Sequence, residues 1–408
     1  MSAPRGKSLL YDPKARSIFF QVLFAVALIA LLYIGFSNLM QNYYGKFTSD
    51  KSFGDIMNAP AGIAILTTFG TWLLDYSSTA SSNWTAFMVG IANTLVVAFV
   101  GIIIATVWGF LLGIFRLSKN FVLRSFATVY IETLRNIPLL LQIIFWVVIF
   151  RLFSSGLKID DSVVFVDGAL YFNADGLRAP FLDWQAGGHI VFWAVVVAIL
   201  SAIAISRWAR ERQAATGQQF PAFWVGLAVL ILIPTIAFYI AGKPLIVEYP
   251  TVIEEGSKLQ LGKFVNGHGM IIATEMLALT IALSMYTAAF IGEIVRAGIL
   301  SVASGQSEAA GALGISNSVA LRKVILPQAM RVVIPPLTSQ YLNLTKNSSL
   351  AAAIGYPEVV ALFGGTILNQ TGRAVEIIMM VIAVYLTISL LTSAFMNWFN
   401  NRMKLEER

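Results

Sequence analysis

The sequence predicts an all-α membrane protein with about eight transmembrane helices. Hydrophobic residues make up 57% of the 408 positions, charged residues make up 12%, and the mean hydropathy is +0.76. Soluble domains carry about 25% charged residues. Several apolar runs reach about 18 residues or more, which is enough to cross a bilayer as a helix. Helices are expected rather than a barrel, because the alternating strands of about ten residues that build a barrel are not evident.

Hydropathy divides the chain into its predicted elements. The first 17 residues are polar, and the apolar run after them has no A-x-A cleavage site, so it is interpreted as an uncleaved first helix. Residues 61–74 are too short and too rich in Gly and Thr for a span and are expected to form an interfacial or re-entrant piece. The predicted spans are 18–37, 86–115, 127–153, 189–206, 221–241, 270–299, 335–355 and 375–399.

Lysine and arginine residues predict the orientation, because cytoplasmic loops are enriched in them. With the N-terminus inside, sixteen lie on the cytoplasmic side and eight in the outer loops, so both termini are predicted to be cytoplasmic. This bias accounts for the net charge of +7, and the lipid bilayer rather than a nucleic acid is the expected surrounding. The cytoplasmic set is Arg5, Lys7, Lys14, Arg16, Arg116, Lys119, Arg124, Arg207, Arg210, Arg212, Arg322, Lys323, Arg331, Arg402, Lys404 and Arg408.

The outer loops at 154–188 and 242–269 alternate apolar and polar residues, which predicts short strands or hairpins. A docking role and simple filling between helices both stay open for them. The chain has no cysteine, which excludes disulfides and thiol chemistry. His189 and His268 fall in predicted loops without a cluster of other ligands, so no metal site is expected.

Residues 304–327 form a polar, helix-prone segment between two strongly apolar ones, on the predicted cytoplasmic side. Ala309, Ala310 and Gly314 leave a shallow surface that another protein can approach closely, and Glu308 can meet a basic residue there. The alternative interpretation is an ordinary solvated helix in a loop.

A polar helix is predicted to begin at Pro335 and Pro336, because a helix start does not need the missing N–H groups. Gln340, Asn343 and Asn347 share one face of it, with Lys346 close beside them. Such a face could line a pathway for a zwitterionic or acidic solute, since polar groups at membrane depth are costly and mark candidate sites. The alternative is hydrogen bonding between helices, with Lys346 paired to an acid. Further pathway candidates are Thr345, Ser348, Ser349, Asn93 and Thr94.

Two acid–base pairs at i, i+3 spacing are expected to be structural ion pairs: Glu132 with Arg135, and Glu293 with Arg296. No G-x-x-x-x-G-K-[ST] loop and no catalytic set of side chains is evident in the sequence. We therefore predict a conduit rather than an ATPase or another enzyme. An ion-gradient-driven transporter and a membrane anchor are the alternatives; the former predicts carboxylates at the membrane midplane, and no lone Asp is found there.

Several motifs resemble those of a known family. Glu308-Ala309-Ala310, three residues, Gly314, nine residues and Val324-Ile325-Leu326-Pro327 reproduce the E-A-A…G…I-x-L-P pattern of ABC-importer permeases, with Val324 in place of the usual Ile. The stretches at 286–302, 344–359 and 130–143 are similar to the polar amino-acid uptake branch, the histidine-permease type. The overall plan resembles the larger permease of general L-amino-acid transport systems in Gram-negative bacteria.

The resemblance implies a five-helix type I importer core with extra helices and small periplasmic elements. The expected organisation is an N-terminal helix and periplasmic segment at 1–85, the first part of the core at 86–153, an insertion at 154–269, the second part of the core at 270–400 and a cytoplasmic tail at 401–408. It also implies a multi-pass location in the bacterial inner membrane and alternating access between its two sides.

The resemblance further implies a set of partners. Two separate ATPase subunits would bind ATP and Mg, so this chain would hold no cofactor and would not be an enzyme itself. A second, homologous permease and a periplasmic amino-acid-binding protein would complete the assembly. The ATPase-coupling residues would be Glu308, Ala309, Ala310, Gly314, Leu326 and Pro327. Lys346 and Asn347 favour either amino acids with a carboxylate side chain or broad specificity through the shared carboxylate.

Overall fold

The structure is a computed structural model that describes residues 13–39, 41, 52–65, 68–154, 163–166, 169–173, 176–250, 253–255, 258–260 and 269–403. The first twelve residues, His268 and residues 404–408 of the predicted tail lie outside the described residues. The same is true of much of the two predicted outer loops, including residues 155–162 and 261–268.

The described chain is mostly helical. Its longer α-helices are α1 (Pro13–Leu39), α4 (Asn83–Arg116), α5 (Phe121–Asn136), α6 (Leu139–Ser154), α7 (Gly188–Thr216), α8 (Ala222–Ile240), α9 (Thr274–Leu300), α10 (Ser304–Ala312), α12 (Leu326–Asn347) and α14 (Ala374–Met403). The shorter ones are α2 (Phe53–Asn58), α3 (Phe69–Leu73), α11 (Asn317–Ala320) and α13 (Leu368–Thr371). A 3₁₀ helix (Ser348–Ile354) and two π-helical turns (Leu321–Ile325 and Val360–Ile367) complete the set.

Six of these helices, α1, α4, α7, α8, α9 and α14, are long and apolar enough to cross a bilayer. They correspond to six of the eight predicted spans. The two remaining predicted spans, 127–153 and 335–355, differ from expectation in ways that their proline residues explain.

The predicted span at 127–153 is wrong in one respect: it is not a continuous helix. The chain breaks at Ile137–Pro138, and α5 meets α6 at 107°. A proline forces the residue before it out of the helical region, and Ile137 has extended angles of φ −97° and ψ 129°. The carbonyls freed at the end of α5 are satisfied by Gln142, whose Nε2 donates to the carbonyl oxygens of Leu134 (2.8 Å) and Ile137 (2.9 Å).

The prediction that the polar helix begins at Pro335 is also wrong. Helix α12 begins at Leu326, and Pro327 occupies the first turn, where its missing N–H is not needed. Pro335 and Pro336 lie inside the helix. The chain then continues through the 3₁₀ helix, so the helical stretch from 326 to 354 is long enough to cross a bilayer, although α12 is more polar than the six other spans.

Helix α9 is the centre of the bundle and packs against α4, α6 and α12. Its contact with α4 is close because glycines replace side chains on α4. A Cβ atom on Gly109 would lie 2.6 Å from Cβ of Ile291, and one on Gly113 would lie 2.8 Å from the carbonyl oxygen of Gly292. This close approach fixes the two helices against each other over several turns.

The described residues between 52 and 76 pack against the N-terminal half of α4. Met57, Ala61 and Ile63 are buried in one cluster with Phe87 of α4 and Phe363 of the second π-helical turn. Residues 61–65 lack regular structure and α3 follows, so the stretch at 61–74 is not a span. Burial raises the pKa of Tyr76, whose hydroxyl donates to the carbonyl oxygen of Ile63 at 2.9 Å.

The predicted short strands are present in the described parts of both predicted outer loops. Strands β1 (Val163–Val166), β2 (Leu170–Asn173), β3 (Gly176–Ala179) and β8 (Met270–Ala273) form an antiparallel sheet in the order β1-β2-β3-β8. Strand β4 (Phe181–Trp184) pairs with β5 (Leu245–Glu248), and β6 (Ile253–Glu255) pairs with β7 (Lys258–Gln260). Between β4 and β5, helices α7 and α8 form a hairpin and pack chiefly against each other.

Candidate functional site

The first part of the segment at 304–327 folds as α10, a short exposed helix with a defined end. Gly314 has φ +71°, a left-handed conformation that glycine adopts without steric cost. The N–H of Ile315 donates to the carbonyl of Ala310, and the N–H of Gly314 donates to that of Gly311, both at 3.0 Å. These two bonds form a Schellman motif that ends α10. Nothing else in the described chain comes within 4 Å of a Cβ placed on Gly314, so backbone conformation explains this glycine.

The six predicted coupling residues divide into two groups. Glu308 and Ala309 are exposed on α10, and the adjoining Leu313 is 78% exposed, whereas Ala310 is buried. Leu326 and Pro327 are half-buried at the start of α12. Helix α11 begins just after the turn at Gly314. From there, α11, the first π-helical turn and α12 follow one another without a break, so continuous helical structure joins this turn to the polar helix.

A cluster of ion pairs lies at the adjacent ends of α4, α5 and α9. Arg116 contacts Glu293 through one guanidinium nitrogen and Glu132 through the other, the latter at 2.8 Å. Glu293 also accepts from Arg296 at 2.6 Å, which confirms that predicted pair. The predicted Glu132–Arg135 pair is wrong: Glu132 bonds Arg116 instead, because α4 and α5 pack against each other. The Arg135 guanidinium lies over the Phe290 ring instead, 5.1 Å from its centroid.

The polar face of α12 carries four of the predicted pathway residues. Asn343 and Lys346 are exposed and Gln340 and Asn347 are half-buried on this chain. Among the described residues, no carboxylate oxygen lies within the 4.0 Å ion-pair distance of Lys346, so the acidic neighbour of the alternative interpretation is not found there.

The hydroxyl candidates at the end of α12 bond to backbone. Thr345 donates to the carbonyl of Tyr341 (2.9 Å), Ser348 to that of Thr345 (2.7 Å) and Ser349 to that of Lys346 (2.7 Å). Thr345 and Ser348 are also buried. These three side chains stabilise the change from α-helix to 3₁₀ helix, because they bond to carbonyls at the end of the helix.

Asn93 and Thr94 of α4 also bond within the chain. Asn93 accepts from the N–H of Gly70 (2.9 Å) and donates to the carbonyl of Pro357 (2.8 Å). Thr94 donates to the carbonyl of Gly90 and accepts from the N–H of Val359 at 3.4 Å. Both side chains are fully buried, and they attach the turn at 355–361 to α4.

Sequence reasoning missed Glu358 at the centre of that turn. Its side chain is 1% exposed, and its carboxylate accepts from the N–H groups of Val360 (2.9 Å) and Ala361 (2.8 Å). The hydroxyl of Tyr385 on α14 donates to the same carboxylate at 2.8 Å. The signal in the sequence was a single acid inside the apolar stretch at 354–363.

A cavity of about 490 Å³ adjoins the turn. Its walls come from the extended residues 63–65 on one side and from residues 352–366 on the other, with Pro357, Val360 and Ala361 among them. Glycines and alanines supply half of this lining.

Known proteins resemble this chain over nearly its full length. It is 46% identical over 402 residues to the general L-amino acid transport system permease protein AapQ of Rhizobium johnstonii, covering 98% of this chain and 96% of the relative. The chain belongs to the amino-acid permeases of ABC transporters. The glutamate/glutamine/aspartate/asparagine transport system permease protein BztB of Rhodobacter capsulatus is 38% identical, with 99% and 97% covered.

Two further comparisons concern parts of the permease. Residues 213–405 match the family described as the binding-protein-dependent transport system inner membrane component. A solved amino acid ABC transporter, crystallised with histidines, aligns with 83% of this permease and 100% of its own chain at 19% identity and a TM-score of 0.44.

Family membership decides between the functional classes left open by the sequence. The permease is a multi-pass membrane subunit and not an enzyme, and ATP is used by separate ATPase partners. Permeases of this family also work with a substrate-binding protein. None of these comparisons favours an ion-gradient-driven transporter or a membrane anchor.

Proposed function

We propose that this permease moves L-amino acids inward across the bacterial inner membrane by alternating access. The observation that carries the proposal is Lys346, an exposed ammonium without a carboxylate partner among the described residues, on the polar face of a helix. An unpaired charge on a transmembrane helix is costly unless a solute or a partner subunit meets it. The carboxylate that every amino acid carries would meet it in the pathway.

The pathway would run along Gln340, Asn343, Lys346 and Asn347, facing a second, homologous permease. One relative is named for general L-amino acids, and the other for glutamate, glutamine, aspartate and asparagine. These names support recognition of a group that all of the substrates share. Thr345, Ser348, Ser349, Asn93 and Thr94 would support this pathway from behind, since their polar atoms bond within the chain.

ATPase coupling is assigned to α10 and the turn after it. Glu308 and Ala309 would contact the ATPase directly, Gly314 would set the angle of the turn, and Ala310, Leu326 and Pro327 would hold the segment to α12. Binding of ATP, with Mg, draws the two ATPases together, and the unbroken helical path from α11 to α12 would carry that movement to the polar face. Both termini would lie in the cytoplasm, and the periplasmic binding protein would dock on the opposite side.

The test is uptake into proteoliposomes that contain this permease, the second permease and the ATPase, with binding protein outside and ATP inside. Labelled glutamate, glutamine, arginine and leucine report the specificity. We expect ATP-dependent uptake that Lys346→Ala reduces, with a changed substrate preference, and that the matched control Lys119→Ala leaves unchanged. Glu308→Lys should release the ATPase on co-purification. Uptake driven by an ion gradient without ATP would contradict the proposal, and normal uptake by Lys346→Ala would contradict the pathway.

A further inference from the structure

The hairpin of α7 and α8 carries three arginines at the end away from its strands. Arg207, Arg210 and Arg212 lie near the end of α7 and are exposed, and the first two share one face at i, i+3 spacing. In the part of the chain that the structure describes, no carboxylate oxygen lies within the 4.0 Å ion-pair distance of any of them, not even that of the nearby Glu211. The arginines therefore present positive charge that the described chain does not balance.

This end of α7 projects beyond the start of α8. A Cβ atom on Gly226 of α8 would lie 3.7 Å from Cβ of Ala202, whereas Trp208 meets Phe220, which precedes α8, with ring centroids 5.1 Å apart. Helix α8 has 19 residues and is about 28 Å long, which nearly matches the hydrocarbon core of a bilayer at about 30 Å. Residues 207–216 of α7 therefore extend past the hydrocarbon into the headgroup region.

Exposed aromatic side chains lie at the same level. Trp208, Phe223 and Trp224 are 48%, 72% and 68% exposed. Tryptophan is enriched where a helix passes from hydrocarbon to headgroups. The guanidinium of Arg212 lies over the Trp208 ring, 5.3 Å from its centroid, and donates to Oε1 of Gln218 at 3.0 Å. Aromatic rings and arginines thus follow one another along this end of the hairpin in the order that a membrane surface favours.

The pairing of the strands determines the side of the bilayer on which the arginines lie. Strand β3 pairs with β8, β4 follows β3, and Phe181 of β4 lines a small cavity together with Met270 of β8. Helices α7 and α9 therefore both start at this layer of strands and run away from it. The arginines at the end of α7 lie on the same side as α10, which follows α9, and this is the side proposed to be cytoplasmic.

The sides of the hairpin favour lipid over protein as the neighbour of this end. Helices α7 and α8 pack chiefly against each other, and many large apolar side chains of both are exposed, among them Phe192, Trp193, Leu200, Ile231 and Leu232. Acyl chains are as apolar as such side chains and solvate them at membrane depth. The phosphates of the same lipids lie at the level of the arginines.

We propose that Arg207 and Arg210 bind the phosphate group of an anionic phospholipid in the cytoplasmic leaflet, with the exposed aromatic rings beside its acyl chains. The ligand class is a phospholipid whose headgroup has a net negative charge. A guanidinium offers a planar fork of N–H donors that matches phosphate oxygens. A zwitterionic lipid carries the same phosphate but adds an ammonium group, which the arginines repel, so the site distinguishes the two kinds of lipid.

The test measures which lipid collects at this end of the hairpin. The chain has no cysteine, so Gln213→Cys, at an exposed position, gives a single site for a fluorophore. The labelled permease, assembled with cysteine-free forms of its ATPase and second permease, is placed in phosphatidylcholine nanodiscs. Phosphatidylglycerol or phosphatidylcholine with a nitroxide on the upper acyl chain is included at equal fractions. We expect phosphatidylglycerol to quench the fluorophore far more strongly, and this preference to fall as salt is raised.

Replacing the two arginines should remove the preference. Each arginine near an anionic membrane surface contributes about fivefold in affinity, so Arg207→Gln with Arg210→Gln should lower the preference by about 25-fold. Lys119→Gln with Arg124→Gln is the matched control, because it removes the same charge from exposed positions elsewhere, and it should change nothing. Arg207→Lys with Arg210→Lys keeps both charges and should retain most of the preference.

Several results would overturn the inference. Equal quenching by the two lipids with the arginines present would do so, as would an unchanged preference in the double glutamine variant or a lysine variant as poor as the glutamine one. Displacement of phosphatidylglycerol by millimolar inorganic phosphate would identify a soluble phosphate compound as the ligand instead. Loss of the ATPase on co-purification of the glutamine variant, with quenching unchanged, would assign the arginines to that partner. None of these results depends on which solute is transported.

Discussion

Asn93 of α4 donates a hydrogen bond from Nδ2 to the carbonyl oxygen of Pro357 at 2.8 Å, across 264 positions of sequence. The other end of the same amide accepts from the N–H of Gly70 in α3. One side chain therefore joins the N-terminal segment, the first long core helix and the turn that carries Glu358.

Asn93→Ala should destabilise the permease. The substitution leaves the Gly70 N–H and the Pro357 carbonyl buried without partners, and each unsatisfied group costs about 1–3 kcal/mol. We expect a lower unfolding temperature for the detergent-purified complex, measured by intrinsic tryptophan fluorescence. The exposed Gln219→Ala is the control and should change nothing. An unfolding temperature equal to that of wild type would show that water replaces the amide.

Gln142→Leu should destabilise the join between α5 and α6. Its amide satisfies two carbonyls that the break at Pro138 leaves open, and leucine keeps the volume while removing both bonds. The expected cost is about 1–3 kcal/mol for each unsatisfied carbonyl that stays away from water. Limited proteolysis near 137 and thermal unfolding both report it. Leu141→Gln, at a neighbouring exposed position, should not increase cleavage there.

Arg116→Ala should loosen the ends of α4, α5 and α9 together. It removes the only described guanidinium that contacts both Glu132 and Glu293. Because these side chains are partly exposed, the loss is expected to be modest, about 1 kcal/mol, and smaller in high salt. Thermal unfolding at low and high salt checks this. Arg124→Ala, in the same region of the chain, should give no salt-dependent loss.

Gly314→Ala should weaken the association of the ATPase. An L-residue in the left-handed conformation costs roughly 1–2 kcal/mol, so the turn after α10 would change its angle. Gly311→Ala is the matched control, because that glycine is helical, does not have positive φ and has nothing within 4 Å of an added Cβ. Co-purification of the ATPase should fall for Gly314→Ala and stay the same or rise for Gly311→Ala. Equal recovery for both would mean that the turn angle is unimportant.

Hydropathy predicted the elements that depend on composition alone. Helices α1, α4, α7, α8, α9 and α14 follow from long apolar runs, because a bilayer accepts few other structures. The alternation in the outer loops likewise predicted strands. Local propensity therefore accounts for the membrane helices that consist of uninterrupted apolar residues.

The errors occur where proline and long-range contacts decide. Pro138 breaks a run that hydropathy treats as continuous, whereas Pro335 and Pro336 lie inside α12, which begins at Leu326. Proline therefore ends one helix and lies inside another, and the residue type alone does not reveal which of the two occurs.

Pairing of charged and polar side chains was least predictable. Glu132 bonds Arg116 and not its helical neighbour, since the distance between helices is a tertiary property. Asn93 was predicted as a pathway residue because it is polar at membrane depth, and the hydrogen bonds from both ends of its amide to distant backbone groups could not be inferred from the sequence. Glu358 was missed because an acid next to a proline resembles an ordinary loop residue until burial is known.

The hairpin of α7 and α8 has its two ends side by side. Strands β4 and β5 pair along their length, and the N–H of Gln185 donates to the carbonyl of Pro244 at 2.7 Å. Because the chain enters and leaves the hairpin at neighbouring positions and the two helices pack chiefly on each other, the hairpin is a self-contained insertion. An ancestral permease could gain or lose it in one recombination event, without any change in the interior that α9 organises.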